Sequence, residues 1–199
     1  MRRALALLAV WLAGCPPPVL PGDQPMGTWA MNATVSSRAR GCELPELKEQ
    51  TDGGVTDFAF QGVLTRQSTS TEAWLTLSGY SRPGTFDGQY FATRSEANRV
   101  FSDCSECQTK LVEDITVAVL SRSQAEALGG RCPANIDGGV PVPDGGVLPP
   151  GQTLQGFDAV RLCGSLTTQV VGTGTSDGGA CEAKCTGCFI EYQLRGERR

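Results

Sequence analysis

Nine cysteines and no histidine define the chemistry open to this chain. Cys15 stands apart, at the end of an apolar run. The other eight are Cys42, Cys104, Cys107, Cys132, Cys163, Cys181, Cys185 and Cys188. An even number of cysteines in an oxidising compartment reads as a set of disulfides. Cys104-Ser105-Glu106-Cys107 and Cys185-Thr186-Gly187-Cys188 also have the spacing of zinc knuckles, but they lie much further apart than in a compact zinc ribbon. Thiol–disulfide exchange needs a thiol of lowered pKa, and Asp103 and Glu106 beside the first pair oppose it. Structural disulfides are expected, with no metal and no redox thiol.

The missing histidine removes Ser-His-Asp and Cys-His catalysis, histidine-ligated zinc and histidine pH switches. Ser165 lacks the Gly-x-Ser-x-Gly elbow of a strained nucleophile. Glu113 and Asp114 are adjacent, so on a strand they point to opposite faces and make a poor acid–base pair. The glycine-rich run from Gly172 to Gly179 has no lysine to meet a phosphate. Asp-Gly-Gly recurs at 52–54, 137–139, 144–146 and 177–179, without the further acidic ligands of a calcium loop. These repeats read as turns, in which Asp bonds local backbone N–H and Gly supplies positive φ. Neither catalysis nor a cofactor is expected.

The N-terminus sets the compartment. Met1-Arg2-Arg3 is a cationic start, Ala4–Ala13 is unbroken apolar sequence, and Leu12-Ala13-Gly14-Cys15 follows. That order is the secretory pattern, and the apolar run is shorter than the ~20 residues a membrane span needs. Leu12-Ala13-Gly14-Cys15 resembles the lipobox of bacterial lipoproteins. The resemblance covers residues 1–15 and implies that 1–14 are a signal peptide. It further implies that Cys15 becomes the N-terminus, acylated on sulfur and nitrogen with chains such as palmitate. Pro16, where family members kept at the inner membrane carry aspartate, implies the outer membrane. Residues 15–26, with Pro16-Pro17-Pro18, Pro21 and Pro25, form a semi-rigid tether. Loss of Arg2 and Arg3 leaves 15 Lys+Arg against 21 Asp+Glu, a net charge of −6. Such a chain lacks the basic footprint of nucleic-acid binding.

Residues 27–199 then form one disulfide-stapled domain. Trp29, Met31, Ala33 and Val35 alternate with mostly polar neighbours, as do Phe58, Phe60, Gly62 and Leu64. A period of two marks a strand with one buried face. Further strands are expected over 72–80, 85–94, 97–102, 111–120, 157–171 and 187–195, with a tight turn at Arg82-Pro83-Gly84. One short helix is expected near 123–129, capped by Ser123 with Glu126 and stopped by Gly129-Gly130; a weaker helical turn is expected around 44–50. Residues 133–156 read as a long Pro/Gly-rich loop. The fold class is therefore all-β: a single antiparallel barrel or sandwich of about eight strands. Gly27-Thr28-Trp29 at the start of the first strand resembles the Gly-x-Trp of lipocalins. That resemblance implies an eight-stranded barrel closed at one end by the tryptophan, with a late arginine, Arg195, laid over it.

The expected function is a membrane-anchored binding or envelope-structural module, held to lipid through Cys15 and meeting an envelope protein or a small apolar ligand. A lipocalin-like carrier would line its cavity with Trp29, Met31, Phe58 and Phe60; in a structural module the same residues would fill the core. Cys163 is expected to pair within the 181–188 cluster, and Cys42 with Cys132. Anchorage makes the first prediction. Wild-type protein extracted from membranes should show by intact mass an acylated N-terminus at Cys15. Cys15→Ser should leave the membrane fraction or persist as uncleaved precursor.

Overall fold

The computed structural model describes residues 19–38, 57–101, 104–132, 159–173 and 188–199. Eight strands run in chain order: β1 Gln24–Arg38, β2 Phe58–Arg66, β3 Glu72–Leu77, β4 Tyr80–Phe86, β5 Tyr90–Phe101, β6 Cys104–Ser121, β7 Ala159–Thr173 and β8 Cys188–Arg198. Each pairs antiparallel with the next, and β8 returns to β1, closing a barrel. Among the described residues one helix, α1 (Arg122–Ala127), follows β6.

Alternation decides which residues enter the barrel. On β1, Trp29, Met31 and Ala33 point inward and are 0–1% exposed. Directly opposed residues share a face, so the inner set can be followed around the wall. Ala33 faces Leu194, Leu194 faces Gly164, Gly164 faces Val117 and Val117 faces Phe91. A shift between Val35 and Ser37 marks a β-bulge near the end of β1, and another between Pro25 and Gly27 marks one near its start. Nineteen buried residues, Phe86, Phe91, Tyr192 and Leu194 among them, form one core inside the barrel.

The eight-strand count agrees with the periodicity, but the divisions differ. Arg82-Pro83-Gly84 is not a turn; it lies within β4. The reversal comes earlier, at Ser78-Gly79, where both residues have positive φ (48° and 86°) and Leu77 faces Tyr80. A two-residue hairpin with both centres at positive φ matches the right-handed twist of its strands. Pro83 is tolerated because the β4–β5 ladder spans only Gly84–Phe86 against Phe91–Thr93, so Pro83 lies beyond it. Residues 85–94 and 97–102 accordingly belong to the end of β4, a turn at Asp87, and one continuous β5. β1 begins at Gln24, within the expected tether.

The helix cap is likewise two residues earlier than Ser123. The Ser121 hydroxyl accepts from Gln124 N (3.3 Å) while the Gln124 carboxamide accepts from Ser121 N (2.8 Å), a capping box. Gln124 is fully buried, and its amide donates to Gln89 Oε1 (2.7 Å), while Gln89 Nε2 donates to Val119 O (2.9 Å). This amide chain fixes α1 against the wall.

Both disulfide assignments are corrected by the fold: Cys132 bonds to Cys163. Cys163 shares the outer face of β7 with Arg161, Ser165 and Thr167, as its parity requires. α1 and the turn after it fold back over that face, burying Ala118, Leu120 and Cys163 beneath Leu128 and Cys132. The partner of an outward cysteine had to come from a segment lying outside the barrel, and residues 128–132 are that segment. Cys104 and Cys107 lie within the first four residues of β6, and Cys188 starts β8. Cys42, Cys181, Cys185, the loop 133–156 and the 44–50 turn fall outside the described residues. Peptide mapping without reduction should link Cys132 to Cys163. The pair spans 31 residues, and replacing both by alanine should cost about 2–4 kcal/mol in denaturant unfolding.

Candidate functional site

The two ends of the barrel differ in how they treat their inward side chains. At one end lie the start of β1, the β2–β3 and β4–β5 turns, α1 and the end of β8. Here Met26, Trp29, Leu64, Phe86, Phe91, Val119, Ala159 and Leu162 are all 0–1% exposed. A side chain bordering an internal void wide enough for water would show free surface, so this end is packed solid. Arg66 seals it, 1% exposed, with its guanidinium carbon 5.8 Å from the Phe86 ring centroid and its Nε donating to Gln24 Oε1 (2.9 Å). Burial lowers the Arg66 pKa, and the nearby Asp23 carboxylate opposes that shift.

At the other end burial is uneven: Ile190, Tyr192 and Val170 are 0–3% exposed, while several other inward residues are only partly buried. Val35, Phe58, Phe60, Leu77 and Leu111 pack against the core yet keep exposed surface. Among the described residues this end, the mouth, is the less tightly packed of the two. Phe58 and Phe60 stack with centroids 5.6 Å apart, and Phe58 sets its edge against Tyr192 at 5.1 Å. The short β4–β5 ladder leaves the wall beyond Gly84 unpaired on that side. Arg82 projects inward there and meets Glu113 at 2.7 Å, the two side chains 28% and 25% exposed. Glu113 faces inward and Asp114 outward, where it pairs with Arg94 (3.1 Å). The mouth is thus an aromatic wall together with a largely buried ion pair.

Of the expected cavity residues, Phe58 and Phe60 line the mouth. Trp29 and Met31 do not; they belong to the packed floor. Arg195 is not the arginine beside Trp29: it lies on the outer face, bonded to Glu197 at 2.9 Å. Arg198 instead stands opposite Trp29 in the β1–β8 register. A side chain at Gly27 would meet Arg198 Nε at 3.2 Å and Trp29 Nε1 at 3.5 Å, so glycine, tryptophan and arginine crowd together at the closed end. Sequence pattern did not mark Arg82 and Glu113 as a pair. The usable signal was parity, since Glu113 keeps step with the inward Leu111 and Ile115.

A second concavity, of about 490 Å³, lies outside the barrel between α1 and the β7–β8 wall, lined by Arg122, Glu126, Gly130, Arg161 and Glu197. Arg161 and Arg195 both bond Glu197 (3.1 and 2.9 Å), so its charges largely satisfy one another. Among the described residues no three Cys, Asp or Glu side chains gather as a metal site.

No protein-family profile, curated protein or solved structure matches this chain.

Tyr192 provides a probe of the interior. It is fully buried, its hydroxyl has no hydrogen-bond partner, and burial pushes its pKa up to about 12. A tyrosine ionises near pH 10 when unfolded. The neutral phenol therefore favours the folded state in full below pH 10, and that contribution is lost as pH rises toward 12. Tyr192→Phe should remove this alkaline loss. It should also raise stability by about 1 kcal/mol, because it deletes an unpaired buried hydroxyl. Denaturant melts at pH 8 and pH 11 test both effects.

Proposed function

We propose that the mature protein is a lipid-anchored binding module of a bacterial cell envelope, and that the open mouth of its barrel binds the apolar group of a small ligand. The observation that carries this reading is the exposure of Phe58 and Phe60. Large apolar side chains aimed into a barrel are ordinarily covered, yet these two are only partly buried. Eight-stranded barrels of up-and-down order have interiors of the right width to hold one small molecule. The solid floor limits the site to the mouth, so the ligand enters only part-way. Arg82 and Glu113 give the rim a cation and an anion, each able to meet a polar group on the ligand as the apolar part inserts.

Anchorage rests on the lipobox resemblance at Leu12-Ala13-Gly14-Cys15, and an outer-membrane address on Pro16. A chain without histidine or a nucleophile motif fits binding better than catalysis.

Anilinonaphthalene sulfonate, a fluorescent aromatic anion, is a suitable probe. It should bind saturably at one site. Phe58→Ala with Phe60→Ala should weaken binding about tenfold, equivalent to about 1.4 kcal/mol, whereas Arg94→Ala on the outer wall should leave it unchanged. Equal binding by the mouth variant and wild type would refute the assignment.

A further inference from the structure

The chain enters the barrel at its closed end, and that entry is fastened. Asp23 N donates to Arg66 O (3.2 Å), and the Asp23 carboxylate accepts from both the backbone N–H (2.7 Å) and the hydroxyl of Ser68 on the β2–β3 turn. These bonds hold the Asp23 carboxyl below its usual pKa. Gly22, at φ +81°, lies so close that a Cβ would stand 2.6 Å from Arg66 O and 3.1 Å from the Trp74 ring. Val19 beyond it is 98% exposed. The segment leading back to Cys15 therefore leaves the barrel at about Gly22, on the closed end, and the mouth is at the opposite end.

Covalent geometry then sets a limit. Cys15 to Gly22 is seven residue steps, which reach at most about 25 Å even fully extended. β7 has 15 residues. At about 3.3 Å per residue and a tilt near 40° the wall at β7 stands roughly 35 Å high, and the wall at the longer β6 (18 residues) stands higher still. Turning the mouth onto the bilayer would lift the closed end by that height, further than the tether can span.

From this, and resting on the lipid anchor proposed above, we infer that the closed end is the face presented to the lipid surface and that the mouth opens away from it. The ligand of the mouth consequently arrives from the aqueous side, or from a structure facing this membrane, and not from the lipids that hold the anchor.

The test uses the full lipidated protein in vesicles of phosphatidylethanolamine and phosphatidylglycerol carrying a headgroup energy-transfer acceptor. A fluorescent amino acid replaces either Thr69, exposed on the β2–β3 turn, or Asn98, exposed toward the mouth end of β5. Transfer should be strong from position 69 and several-fold weaker from position 98. Inserting about twenty Gly/Ser residues between Pro18 and Val19, whose fully extended length exceeds the wall height, should raise transfer from position 98 relative to position 69. Vesicle-bound protein with equal transfer from both positions, or more from position 98, would overturn the orientation alone. Protein that remains in solution would overturn the anchor and the orientation with it.

Discussion

The pairing of β1 with β8 is the constraint on which the rest depends. Without it the sheet would have two unpaired edges and its inner face would be open along one side. With it, every strand has two neighbours, and inside and outside become distinct environments separated by a continuous wall. Only then does alternation along each strand assign a side chain to a core or to solvent, and only then do the ends become the main routes inward. The solid floor, the less tightly packed mouth and the external helix all follow from that closure.

Within this frame the two ends use the same wall for different purposes. The closed end concentrates large side chains: Trp29, Arg66, Phe86 and Phe91. Its one buried cation lies against an aromatic ring and a carboxamide oxygen. The mouth holds Arg82 and Glu113 as an ion pair, each side chain about a quarter exposed. The fold's rigidity comes from the apolar core and from the Cys132–Cys163 staple on the outer wall.

The fold class was legible because its signal is periodic. Trp29, Met31, Ala33 and Val35 alternate without interruption, and six other strands carry enough of the pattern to be found. The boundaries were less legible where local chemistry points one way and tertiary pairing another. Pro83-Gly84 looks like a turn, yet it sits in a strand because the neighbouring ladder has ended. Ser78-Gly79 makes the actual turn without a proline to announce it. The disulfide was out of reach for a different reason. Parity placed Cys163 on the outer face correctly, but nothing in the pattern said that a six-residue helix would fold back to bring Cys132 over it. At the candidate site the aromatic lining was legible and its depth was not. Whether Trp29 borders space or packing depends on side chains from strands far away in sequence.

The order of strands around the wall has a temporal meaning as well. Neighbours β1 to β7 can each pair with a strand made just before, so most of the sheet can assemble as the chain emerges. The closing ladder joins Trp29–Arg38 to residues 190–198, and no earlier segment can substitute for it. Until those last residues are free, β1 keeps an open edge and the inner face, Trp29 included, stays exposed to chaperones or to premature pairing. The final step is a long-range contact that is slow to form. A molecule built this way stays pliable until β8 is free to pair and then locks in one event.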